Sequence, residues 1–257
     1  MKGRNAVYTV KKRVDQTKQP RGGYVNPKAF EVVHIEDGVI LNQEENIHAS
    51  IIGTVVDYLT RYMMGSKPYK AFQVPMKGAK YAGEEEKSIE LLKIVNGLDD
   101  DSVRAACQLI GYDVVVRAGM AYFRPVTEIQ PDDATIENIR TMVRRSVAFW
   151  EKYGPIELDG FTLDGGYTDT ISMGDGDYVT YDTLWDFKVI KSEPSSKHTL
   201  QLLIYYLMGV RSIHEEFETV SKLGIFNPRK NNVYLLDISS IPNDVIKIVS
   251  SEVIGYK

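Results

Sequence analysis

The residues best equipped for chemistry lie between Gly165 and Gly209. Asp186 and Lys188 flank Phe187 in Thr183-Leu184-Trp185-Asp186-Phe187-Lys188-Val189, a run rich in β-formers. Side chains two positions apart leave the same face of a strand, so this acid and this lysine can serve one site. Asp169 lies upstream in Tyr167-Thr168-Asp169-Thr170-Ile171, which reads as extended chain, and Gly174-Asp175-Gly176-Asp177 reads as the turn between the two. On that reading Asp169 and Asp186 stand on neighbouring hairpin arms and converge on a divalent cation. Phosphodiester hydrolysis calls for such a set. Carboxylates hold Mg²⁺ or Mn²⁺ through hard oxygens, and the ion orients the phosphate and lowers the pKa of bound water. A lysine supplies a point charge and positions or deprotonates the water.

Three segments together resemble the PD-(D/E)xK nuclease superfamily, in its RecB-like exonuclease branch. Gly166-Tyr167-Thr168-Asp169 is similar to that branch's G-x-x-D strand, Asp186-Phe187-Lys188 to its (D/E)-x-K strand, and Gln201-Leu202-Leu203-Ile204-Tyr205 to its Q-x-x-x-Y helix. The resemblance covers roughly residues 155–240. It implies a restriction-endonuclease-like fold, a mixed β-sheet core flanked by helices. It also implies that Asp169, Asp186 and the backbone carbonyl of Phe187 ligate Mg²⁺ or Mn²⁺, that Lys188 acts on water or phosphate, and that Gln201 and Tyr205 support the site or the DNA backbone. The branch tends to carry an upstream G-x-x-x-H helix. Here Gly53-Thr54-Val55-Val56-Asp57 has aspartate instead, so Asp57 is either a substitute hard ligand or a surface acid. Members with an iron–sulfur cluster use four cysteines, and with Cys107 alone this chain cannot hold one.

The expected activity is metal-dependent hydrolysis of DNA, in a phage, mobile-element, defence or repair setting. RNA as substrate stays open, as does a non-catalytic nucleic-acid-binding or regulatory subunit on the same fold, and a second copy or a protein partner. Composition is compatible. The 257 residues are 43% hydrophobic and 26% charged, which is ordinary globular usage. A net charge of −4 argues against coating nucleic acid through bulk positive charge, though not against a local basic surface or a metal-bearing site. The polar start Met1-Lys2-Gly3-Arg4-Asn5 and the lack of long apolar runs point to the cytoplasm and away from membranes.

Other elements must position these residues. Phe30–Ile35 and Gly38–Leu41 read as strands around an Asp37-Gly38 turn. Ala49–Gly65 reads as a helix and a candidate element of the core. Glu84-Glu85-Glu86 and Asp99-Asp100-Asp101-Ser102 open two more helices, and Pro131-Asp132-Asp133 opens a longer one ending before Gly154-Pro155. Arg140, Arg144 and Arg145 on that helix are a candidate phosphate patch, or simply solvated charge. Ser195–Arg211 is helical and Asn231–Ile238 a strand. His198 either faces substrate or is an ordinary helix N-terminal residue. The chain thus divides into an N-terminal strand and helical region, 1–154, and a nuclease-like core, 155–257.

Overall fold

The structure is a computed structural model that describes residues 9–257, so the polar start of the chain lies outside the described residues. The elements, in chain order, are α1 (Val10–Gln16), β1 (Glu31–His34), α2 (Ala49–Met63), α3 (Pro68–Ala71), α4 (Gln73–Ala82), α5 (Glu85–Ile94), α6 (Asp100–Ile110), α7 (Asp113–Arg117), α8 (Asp133–Tyr153), β2 (Ile156–Thr162), β3 (Asp175–Thr180), β4 (Thr183–Phe187), α9 (Ser196–Gly209), β5 (Lys222–Asn227), β6 (Asn232–Asp237) and α10 (Asn243–Ile248). Short 3₁₀ turns connect several of them, and a π-helical segment, Val249–Ile254, follows α10. Among the described residues no helix is long and apolar enough to cross a membrane.

The chain forms two compact units. One joins the residues up to Ile35 to Trp150–Lys257, and the other is Glu36–Phe149. This differs from the expected division at 154, because the N-terminal segment belongs with the C-terminal sheet. β1 is the edge strand beside β6, with Val32 opposite Tyr234.

The first unit is mixed α/β. Its sheet runs β1-β6-β5-β4-β3-β2, antiparallel throughout except for the parallel β4–β5 pair. A parallel neighbour requires a crossover, which α9 supplies. Val179, Leu184, Ile225, Tyr234 and Leu236 form one face of this sheet, packed with Val10 and Val14 of α1, Leu200, Leu203 and Leu207 of α9, and Val249 and Val253. α9 is apolar nearly all round and central. Each buried leucine there contributes about 1.5–3 kcal/mol. Alternate residues face the other way, where Trp185 meets Trp150 edge-on at 6.3 Å and Tyr153 at 5.5 Å. A Cβ at Gly224 would stand 2.3 Å from the Trp185 ring, so the strand opposite this tryptophan requires glycine.

The second unit is helical. Val55, Val56 and Leu59 of α2, Val103, Ala106 and Cys107 of α6, and Ile136, Ile139 and Met142 of α8 are buried in it. The expected helices appear here with the expected starts, including Asp99 as N-cap of α6, its side chain accepting the Ser102 N–H. Gly38–Leu41 forms no strand. Instead the Arg145 guanidinium binds both oxygens of Asp37, at 2.6 and 3.0 Å, and the Val39 carbonyl at 2.6 Å, which fixes the segment as irregular chain.

The region before Asp186 is also corrected. The extended reading of Tyr167–Ile171 fails, because β2 ends at Thr162 and no strand resumes before Asp175. Gly165 adopts φ +92°, and Gly166 lies so close to α9 that a Cβ would be 2.2 Å from the Met208 carbonyl. Thr168 Oγ1 accepts the N–H groups of Thr170 and Ile171 and donates to the Ile254 carbonyl. These glycine and threonine contacts fold residues 163–174 into a loop. The supposed turn at Gly174–Asp177 is the loop's end and the start of β3. The hairpin turns at Tyr181–Asp182 instead. Gly176 pairs with Phe161 and lies under its ring.

Candidate active site

β3 and β4 pair through Tyr178 with Trp185 and Val179 with Leu184, and the ladder stops there. Beyond it a side chain takes over from backbone: Asp177 Oδ2 accepts the Phe187 N–H at 2.8 Å. Alternation puts Asp175 and Asp177 on the same face of β3 as buried Val179, and Asp186 on the same face of β4 as buried Leu184. That is the face covered by α9.

Asp186 is 2% exposed. Its Oδ1 accepts from Lys188 Nζ at 2.7 Å, while its Oδ2 is buried with no hydrogen-bond partner. Leaving a buried oxygen unsatisfied costs about 1–3 kcal/mol, and more when charged. Lys188 continues the parallel pairing by donating its own N–H to the Phe226 carbonyl at 2.9 Å. Burial pulls the Lys188 pKa down, but the carboxylates of Asp186 and Asp177 outweigh it and hold the ammonium above its ordinary value.

α9 supplies the rest. Gln201 Nε2 donates to the Tyr205 hydroxyl at 2.9 Å. Burial, then the charges of Asp177 and Asp186, raise the Tyr205 pKa, so the phenol stays protonated. His198 closes a capping box with Ser195, its Nδ1 accepting the Ser195 N–H at 3.1 Å. Burial and then Lys188 lower its pKa, opposed by Asp186. The histidine is therefore both a helix cap and a neighbour of the Asp186–Lys188 pair.

The structure thus brings together Asp186, Lys188, Gln201 and Tyr205, together with the Phe187 backbone. It does not bring Asp169 onto the neighbouring strand: that residue is exposed on a bend in the loop before β3. Asp57 sits on α2 in the helical unit, ion-paired with Arg61 one turn on at 3.0 Å. Asp177 and Asp175, read from sequence as turn residues, are the acids whose charge acts on Tyr205 alongside that of Asp186. The signal that could have found Asp177 is alternation, since Asp175, Asp177 and Val179 share one parity. The arginine patch is also largely committed. Arg140 binds the Leu98 carbonyl at 2.7 Å and pairs with Glu137 and Asp100, Arg145 holds Asp37, and only Arg144 is exposed.

The donor set suits a hard cation. Two carboxylates on adjacent strands, one with a buried unpartnered oxygen, match the one or two protein carboxylates with which Mg²⁺ is usually held, water completing its shell. Among the described residues no three His, Cys, Asp or Glu side chains gather to form a fuller ligand set. No family model, curated protein or solved structure matches this chain.

Proposed function

We propose that this chain is a metal-dependent nuclease of restriction-endonuclease-like fold that hydrolyses phosphodiester bonds, with DNA as the first substrate to test. The observation that carries this reading is the Asp186–Lys188 pair on one face of β4, with Asp186 Oδ2 buried and unpartnered. The β2-β3-β4 meander followed by the α9 crossover to a parallel β5 supports the fold assignment.

Asp186 and Asp177 would hold Mg²⁺ or Mn²⁺, with the Phe187 carbonyl as a further oxygen donor. When bound, the ion would supply charge stabilisation at the phosphate and lower the pKa of its water. Lys188, kept cationic by its two acids, places a positive charge where negative charge develops on the phosphate oxygens. Gln201 and the protonated Tyr205 offer neutral donors from α9. His198 spends Nδ1 on the Ser195 N–H, so its neutral form carries the proton on Nε2 as a donor.

The test is incubation with end-labelled linear DNA, circular DNA and RNA, in Mg²⁺, Mn²⁺ or EDTA. Metal-dependent cleavage of DNA supports the reading, cleavage of RNA alone changes the substrate, and no cleavage with any metal overturns it.

A further inference from the structure

A second surface, wholly within the helical unit, bears on what this protein binds. Residues 61–82 contain Arg61, Lys67, Lys70, Lys77 and Lys80 and no acid, in a chain whose net charge is −4. Arg61 is committed to Asp57. Lys67, Lys70, Lys77 and Lys80 are exposed, and among the described residues none of the four has an ion-pair partner.

Their placement is periodic. Gln73, Lys77, Lys80 and Tyr81 recur at three- and four-residue steps along α4, which puts them on one helix face, and Lys70 lies one turn earlier on α3. The opposite face is fixed. Ala71, Phe72, Met76 and Ala79 are buried, and a Cβ at Gly78 would stand 2.1 Å from the Tyr112 carbonyl. The lysine face therefore cannot turn inward. Two aromatic rings accompany it: Tyr69 is 64% and Tyr81 60% exposed, and Lys77 Nζ lies 5.8 Å from the centre of the Tyr81 ring. Unpaired like charges repel one another and add nothing to the fold. The tyrosines beside them leave most of their surface in water.

We propose that this face docks single-stranded nucleic acid, the lysines meeting phosphates and the rings of Tyr69 and Tyr81 stacking on bases. The choice of polyanion rests on the nuclease reading above. A membrane surface fits less well, because the apolar side of α4 is already consumed by the unit's own core. The ridge ends at Gly83, beyond which Glu84, Glu85 and Glu86 reverse the sign.

The test is fluorescence anisotropy of a labelled oligothymidylate titrated with the full chain in EDTA, where cleavage is suppressed. Both substitutions in Lys70→Gln/Lys77→Gln are at exposed, unpaired positions. Affinity should fall at least about tenfold at low salt, and the slope of log K against log salt should shrink by about 1.4 for two lost phosphate contacts. Tyr81→Ala should weaken binding about fivefold or more. Lys87→Gln, which removes an ammonium paired with Glu84 at 3.5 Å, should bind as the parent does. Unchanged affinity and slope in the double variant overturn the proposal. So does an equal loss in Lys87→Gln, or binding to phosphatidylserine vesicles but not to the oligonucleotide. A parallel cleavage assay in Mg²⁺ separates the two readings. Cleavage without a ridge effect sinks only the ridge, and ridge binding without cleavage by any metal sinks only the enzyme.

Discussion

The carboxylate of Asp177 and the backbone of Phe187 meet where β3 and β4 cease to pair, with Oδ2 accepting the Phe187 N–H at 2.8 Å. A side chain thereby closes a ladder that the backbone leaves open, and it brings an acid onto the strand next to Asp186. That places Asp177, on β3, in the position that the sequence suggested for Asp169.

The two acids should separate in a metal titration. Asp177→Ala should weaken Mn²⁺ binding about 10- to 100-fold, the usual scale for loss of a group at or beside a metal site. Asp169→Ala, at an exposed bend, should bind as the parent does. Calorimetry reads both, and a loss confined to Asp169→Ala would restore the sequence-based ligand.

The register of the β2–β3 pair is open to a stability test. A Cβ at Gly176 would sit 2.1 Å from the Phe161 ring. Gly176→Ala should therefore cost about 1–3 kcal/mol through overpacking. Urea unfolding measures it, and a neutral outcome would return this residue to an exposed turn.

Much of the helical framework is legible in the sequence, and the failures have physical causes. The apolar spacing of α2 and α9 and the acidic starts of α5, α6 and α8 identify those helices directly. Strand alternation puts Asp186 and Lys188 on one face, and Gln201 and Tyr205 are legible only through the resemblance of three ordered segments to the nuclease superfamily. Asp177 is not, because Gly176 looks like a turn residue until its contact with Phe161 shows that glycine is needed for packing. β5, Lys222–Asn227, is not legible as a strand although it is the parallel neighbour of β4. β1 finds its partner in β6, some 200 residues on, and nothing local reports that pairing.

Acid should loosen the helical unit through Asp37. Hydrogen bonds from Arg145 hold this carboxyl below its ordinary value of 3.8, against burial acting the other way. A lowered native pKa means that the stabilisation is full above the unfolded value and is lost as pH falls through the lower native one. The stability difference between the parent and Asp37→Asn should thus shrink as pH drops from about 5 to 3. A constant difference across that range would show that the Asp37–Arg145 pair contributes no pH-dependent stability.

Cys107 gives a convenient unfolding probe. It is fully buried in α6, and burial pushes its thiol pKa up to about 12. Ellman's reagent should find no reactive thiol in the native chain and one in guanidinium. Rapid native reaction would mean that α6 opens readily.

The central claim concerns the Asp186–Lys188 pair, and the most direct measurement is cleavage of end-labelled DNA in Mg²⁺ by the parent, Asp186→Ala, Lys188→Ala and Asp169→Ala, with folding checked by circular dichroism. The account predicts cleavage by the parent and by Asp169→Ala, and a loss of at least about 100-fold in each of the other two. Undiminished cleavage by folded Asp186→Ala and Lys188→Ala would contradict it.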